Sequence, residues 1–264
     1  MTGADAVAWL HDLVTADVAG LSDGRSLRSL LLTPTGRIRA DFHVAEVDGS
    51  YLLLQSPSQP EPIDSILAPY VLSSDVSMDD RTDRSAVVAV LDGGAAENGH
   101  GALVLSPSVL GQGRDLVVPP GEAATRLREH LRAAGLVEAA AEDVEAWRIL
   151  RGIARMGVDF EVGALPAEAG LEDAIDFTKG CFLGQESVAK VRNLGHAPRV
   201  LLHVRSRSSI SSGTPVLSGA VVVGEVTSAA ETSQGTDAIV RVRWKAASQP
   251  LSTKAGPLAL QHQQ

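Results

Sequence analysis

The last third of the chain is written in a period of two. RVLLHVR at 199–205, AVVVGEVTS at 220–228 and DAIVRVRW at 237–244 alternate apolar and polar residues, and turns rich in Gly and Ser separate them. Strands of this kind bury one face and must protect their edges, which predicts a small barrel or sandwich. The core is aliphatic, because 44% of the 264 residues are hydrophobic and only 3% are aromatic. No apolar run is long enough for a membrane-spanning helix; VVAVL at 87–91 is typical. The first apolar stretch carries Asp5 and Asp12 and lacks a basic lead-in, so no signal peptide is expected and a cytoplasmic setting is.

Upstream, the pattern is mixed. Ala6, Trp9, Leu10, Leu13 and Val14 have helical spacing behind Asp5, a candidate N-cap. LRSLLLT at 27–33 and the alternating Ile38, Ala40, Phe42 and Val44 predict two strands joined through Pro34 and Gly36, with a third strand at 51–54. A helical stripe covers 62–72. Short strands are expected at 75–78, 85–91, 102–105 and 115–118, and helices at 122–134 and 142–151, the latter facing Val144, Trp147 and Leu150 inward. Residues 156–178 read as a long ordered loop. The fold class is α+β with an all-β C-terminal module.

The net charge is −9, from 23 basic and 32 acidic residues, which argues against a nucleic-acid partner. The charge is unevenly spread. Between 179 and 207, Lys179, Lys190, Arg192, Arg199, Arg205 and Arg207 face only Glu186. Such a segment is either a solvated face or a trap for a small anion. The histidines are scattered, and none pairs with a second ligand at metal-binding spacing, so no metal site is expected. His196 reads as a surface residue near the basic segment, and Gly93-Gly94 as a turn. Trp9, Trp147 and Trp244 read as core.

One stretch stands apart. TKGCFLGQESVAK at 178–190 holds the single cysteine, Cys181, and two of the 4 lysines. One cysteine allows neither an intrachain disulfide nor a multi-cysteine metal site. Gly184 opens a predicted helix, and Cys181 lies just ahead of it with Lys179 two residues away. A helix start and a nearby ammonium both favour a thiolate, and Gly180 and Gly184 would let backbone approach a ligand. The plainer alternative is a small buried cysteine between ordinary turn glycines.

KGCFLGQE at 179–186 resembles the signature of the YgfZ family of folate-binding proteins. That family is related to the glycine-cleavage T-protein, an aminomethyltransferase, and includes mitochondrial iron–sulfur assembly factors. DAVAWLHDLVTADV at 5–18 and LLLTPTGRIRADFHV at 31–44 are similar to the family's first helix and glycine-arginine hairpin. RILRGIARMGVDF at 148–160, LPAEAGL at 165–171 and VVGEVTSA at 222–229 follow in the family's order. The likeness is weakest over 55–140.

The resemblance implies a three-module ring of the aminomethyltransferase folate-binding type. A bipartite module spans 1–50 and 135–197, with an inserted module at 51–134, together making a folate-binding region over 1–197. A C-terminal β-barrel follows at 198–264. It implies tetrahydrofolate, or a one-carbon-substituted folate, as cofactor, with the basic segment near its acidic tail. Gly180, Phe182, Gly184, Gln185, Glu186, Arg192 and Arg151 become candidate ligand-binding residues, and Cys181, Lys179 and Asp41 candidate reactive ones.

The chain departs from the family in three places. The sequence enters its first helix at once, where the family carries a short leading strand, so either the first sheet is one strand short or the start is trimmed. The transferases carry two adjacent acids in the hairpin, where this chain has Ala40-Asp41. Arg151 stands where they place a pterin-gripping Glu, and a cation cannot accept pterin N–H donors. The expected function is therefore folate binding in support of iron–sulfur cluster assembly or repair. A folate-dependent aminomethyl or one-carbon transferase is the alternative, and a scaffold held together by folate a third. Whether the chain is an enzyme is left open between these. Expected partners are a folate-type small molecule and iron–sulfur proteins or their assembly machinery, acting on a monomer without membrane contact.

Overall fold

The helical spacing at 5–14 and the alternation at 38–44 both persist on folding, because each apolar face buries the other. A computed structural model describes residues 1–91 and 101–261, except the side chain of residue 194. His100, His262 and Gly93-Gly94 lie outside the described residues. The chain divides into two compact units. One comprises Met1–Leu31, Ala40–Glu138 and Ala174–Leu183, the other Leu32–Arg39, Ala139–Asp173 and Gly184–Gln264.

The first unit is layered. Helix α1 (Ala6–Leu13) and the short α2 (Ile63–Leu67) cover one face of a sheet ordered β1 (Ser26–Leu32), β2 (Ile38–Val47), β3 (Ser50–Gln55). Leu10, Val14, Leu31, Ala40, Phe42, Val44, Ile66 and Leu67 form the core between them. The alternate residues of β2 point the other way. There Ala45 packs with Leu105 and Val117 of a second sheet. That sheet runs β4 (Ala86–Val90), β6 (Arg114–Val118), β5 (Leu103–Leu105), and helix α3 (Glu122–Ala133) closes its far face through Leu127 and Leu131.

Three local expectations are corrected. The stripe at 62–72 breaks after α2 into a 3-10 turn at Ala68–Tyr70, and Leu72 then takes a left-handed φ of 45°. No strand forms at 75–78. Ser77 forms a single bridge with Thr2, and past Gly3, at φ 129°, the chain contacts Asp75 through the Asp5 N–H and the Ala4 N–H rather than through a continued ladder. Asp5 makes no side-chain cap; its carboxylate instead accepts the Asp75 N–H at 2.8 Å.

The second unit holds α4 (Ala141–Leu150), α5 (Pro166–Ala169), α6 (Gln185–Leu194) and a closed six-stranded barrel. Its strands are β7 (Arg199–Ser206), β8 (Pro215–Ser218), β9 (Val221–Thr232), β10 (Gly235–Arg243), β11 (Leu251–Thr253) and β12 (Gly256–Leu260). Their order around the barrel is β10-β7-β12-β11-β8-β9. Val204, Val216, Val226, Val240 and Val242 fill it, as an aliphatic period-two pattern requires.

A buried ion pair ties α4 to this barrel. The Arg148 guanidinium meets Asp159 at 2.6 Å, and the two side chains are 5% and 0% exposed. Asp159 also accepts the hydroxyls of Thr227 and Ser228 on β9, each at 2.6 Å, and the Arg155 N–H at 3.0 Å. Ser228 accepts a second N–H of Arg148 at 2.8 Å. Because Arg148 and Ile149 take the inward positions, Leu150, expected inside, is 40% exposed.

Removing one member of this pair strands the other in a dry site. Arg148→Met should therefore cost about 3–5 kcal/mol in urea unfolding of the full chain. Arg148→Met combined with Asp159→Leu should recover most of that loss.

Candidate functional site

The signature is anchored by the end of a helix. The last carbonyls of α1 lack partners within the helix. Lys179 supplies one of them and two carbonyls just past the helix: its ammonium donates to His11 O in the last turn, to Val14 O of the C-cap at 2.7 Å and to Ala16 O beyond it at 3.0 Å. Three acceptors use the three ammonium hydrogens, so none is directed at the thiol. Burial pulls the Lys179 ammonium down to about 8, against the opposing pull of Asp17, Asp12 and Asp176. Its charge also sits 5.6 Å from the centroid of the buried Phe182 ring.

Thr15 fixes the approach to this lysine. Fully buried, it donates its hydroxyl to Ala174 O at 2.7 Å and accepts the Leu30 N–H at 2.9 Å. Its carbonyl accepts the Asp176 N–H at 2.9 Å. Asp176 then accepts the Thr178 N–H, the Thr178 hydroxyl and the Lys179 N–H on one oxygen, at 2.7, 2.6 and 3.2 Å. The hydrogen bonds from Thr178 hold its carboxyl below the usual range. Past this turn, Gly180 and Cys181 are exposed, so the buried-cysteine alternative is excluded.

Asp41 lies elsewhere in the same unit, on the face of β2 opposite the α1 core. Its carboxylate is 10% exposed and is held by both forks of Arg28, at 2.8 and 2.5 Å. Its backbone N–H donates to the buried Gln59 side chain at 2.9 Å. Two residues on, burial lowers the His43 imidazole to about 4, aided by the Arg28 charge and opposed by Asp41. The imidazole beside the ion pair is therefore neutral at pH 7. Sequence reading found Asp41 but neither Arg28 nor Gln59, whose partner is distant along the chain.

The other candidates belong to the second unit. Gly184 caps α6 at φ 84°, and a Cβ there would meet Thr33 O at 2.5 Å. Packing against the hairpin turn already requires this glycine. The reciprocal residue is Gly36, at φ 72°, whose Cβ would approach Ser187 Cβ to 2.8 Å. Gln185 is half-buried, and the exposed Glu186 pairs with Lys190 at 2.6 Å, which lowers its carboxyl. Arg192 is exposed on α6. Arg151 is exposed and sits 5.2 Å over the Trp147 ring, an exposed cation–π contact. Trp244, expected in the core, is 43% exposed and stacks on His196. Among the described residues, no group of three or more His, Cys, Asp or Glu is placed to hold a metal, and no helix is long and apolar enough to cross a membrane.

No protein-family model matches the chain. An aminomethyltransferase from Streptomyces avermitilis is 27% identical over 87% of this chain and 71% of its own. An iron–sulfur cluster assembly factor IBA57 homolog, mitochondrial, from Cryptococcus neoformans var. neoformans, is 30% identical over 80% of this chain and 66% of its own. The chain thus spans about two thirds of these relatives. The crystal structure of the glycine cleavage system aminomethyltransferase T from Bartonella henselae superposes with a TM-score of 0.77 at 18% identity, covering 98% of this chain and 80% of that one. The fold is therefore the aminomethyltransferase fold with a closed C-terminal barrel, as expected.

Two outcomes follow from the geometry. Lys179→Met should destabilise the full chain by about 2–3 kcal/mol, the scale of hydrogen bonds to a charged group, read by urea unfolding at pH 7. His43 has a folded value below its unfolded 6.5, so the unfolded state takes up the proton first as pH falls. Its contribution is whole above pH 6.5, declines toward pH 4 and is then level, a loss on the order of 3 kcal/mol. His43→Leu should flatten that part of the stability–pH curve.

Proposed function

The chain belongs to the aminomethyltransferase-like family that also holds the iron–sulfur assembly factors, and from that premise we propose that it binds tetrahydrofolate in support of iron–sulfur cluster assembly or repair. The observation that carries this reading over one-carbon transfer is the state of Asp41. A carboxylate gripped by both forks of Arg28 is committed to a neighbour. General-base work at a folate nitrogen requires a group free to take up a proton. Binding asks less. A carboxylate offers about four lone-pair sites, and Arg28 occupies two, which leaves Asp41 able to accept N–H donors from a pterin ring.

Arg151 adds to the same reading, since its guanidinium offers only donors where the transferases of this family present an acceptor. Bound folate would supply a carrier for one-carbon units. The residues of this chain would orient the ring through Asp41. Cys181 is the exposed nucleophile of the signature, on the segment that Lys179 pins, and we assign it the contact with iron–sulfur cargo or its carrier protein. We place the protein, as a monomer, in the cytoplasm. Its likeness to an aminomethyltransferase supports the transferase as the second reading.

Thermal shift separates these readings. Tetrahydrofolate at about a hundredfold its Kd should raise Tm by about 5–10 °C, with no turnover of an aminomethyl donor. Asp41→Asn should weaken the shift. Cys181→Ser should keep it while losing support of iron–sulfur enzymes in cells. No shift with tetrahydrofolate or its formyl and methylene forms overturns folate binding, and intact support by Cys181→Ser overturns the thiol's role.

A further inference from the structure

The outward face of the barrel carries two cations that close no ion pair among the described residues, beside an exposed ring stack. Strands β7 and β10 run antiparallel, and their outward residues include Arg199, His203 and Arg205 on one, Asp237, Arg241 and Arg243 on the other. Two of these arginines are neutralised. Arg205 is bidentate to Asp237 at 2.9 and 3.0 Å, and Arg241 meets Glu225 at 2.7 Å. The other two, Arg199 and Arg243, stand directly opposite each other in register, both exposed, and neither has an ion-pair partner among the described residues. Like charges directly opposed across two strands are unfavourable. Glu161 and Glu168 line a cleft of about 170 Å³ with Arg199 and Arg241, yet neither closes an ion pair on Arg199.

Next to this pair the chain leaves a large ring in water. Trp244 follows Arg243, and its backbone N–H donates to Pro198 O at 3.0 Å. The indole lies parallel to the His196 ring, with centroids 3.6 Å apart and planes 1° from parallel. The exposed Lys245 comes next. Two locally unfavourable features, an opposed cation pair and an exposed tryptophan, thus share one site. Trp and Arg are also the residues that dominate binding energy at protein interfaces. A partner that brings carboxylates to the arginines and covers the rings would relieve both.

We propose that the His196–Trp244 stack with Arg199, Arg243 and Lys245 is a docking surface for an acidic segment of a partner protein. Charge complementarity selects that occupant, since the patch is cationic within a chain of net charge −9. The preformed ring stack and the anchored Trp244 backbone present the surface at little ordering cost.

The test is fluorescence anisotropy of the full chain with a labelled Glu-rich decapeptide containing one central Leu, at low and physiological salt. Binding should be present and salt-sensitive. Arg199→Glu with Arg243→Glu should weaken it at least tenfold, and Trp244→Ala about fivefold. Lys254→Glu, at an exposed turn of the same barrel, should leave it unchanged. Unchanged circular dichroism and Tm confirm that the variants fold; if the double variant does not, Arg243→Ala alone should still weaken binding. Four results overturn the proposal: no binding, an equal loss in Lys254→Glu, tighter binding of a single-stranded oligonucleotide of equal charge, or self-association of the chain that Trp244→Ala abolishes.

Discussion

The open end of α1 sets the terms for the candidate site. A helix that stops leaves carbonyls that must find donors, and water is scarce where α1 meets the sheet. Lys179 answers with one ammonium hydrogen to His11 O and gives the other two to Val14 O and Ala16 O where the chain leaves the helix, and Thr15 joins the same junction to β1 and to the strand of chain before the signature. The lysine of the signature is thus a structural cation first. Its neighbours Gly180 and Cys181 are held out to solvent because the residue before them is pulled in.

Charge is handled by two different rules in this chain. In the Arg148–Asp159 pair with its two hydroxyls it is buried and fully satisfied. Where it meets the candidate ligand-facing sheet, it is paired but left with spare acceptor capacity, as in Arg28–Asp41. The first rule gives a rigid attachment of α4 to the barrel. The second sets a carboxylate with spare lone pairs beside a neutral His43, an environment suited to holding donors.

Much of the fold was legible in local pattern. The alternation of β2, the spacing of α1 and the start of α6 at Gln185 follow from period and turn residues. The barrel was legible through its three long strands, whereas β8, β11 and β12, of three to five residues, are too short to carry a period. The site was legible only in part. Asp41 stands in a recognisable hairpin, but Arg28 is thirteen residues away on another strand, and only the pairing of β1 with β2 brings the two together. Leu150 and Trp244 defeated the apolar pattern for opposite reasons: a buried arginine took the inward place of one, and a stacked imidazole made the surface tolerable for the other.

Gly36 and Gly184 come from two motifs far apart in the chain, yet each occupies the space where the other's neighbourhood would put a methyl group. They form a single steric lock. Neither motif is portable without its counterpart, and drift at one glycine would be tolerated only with a compensating change in the turn or helix start that meets it. A chain built by grafting the signature onto another scaffold would inherit the thiol but not the geometry, because half of the mould lies in the hairpin.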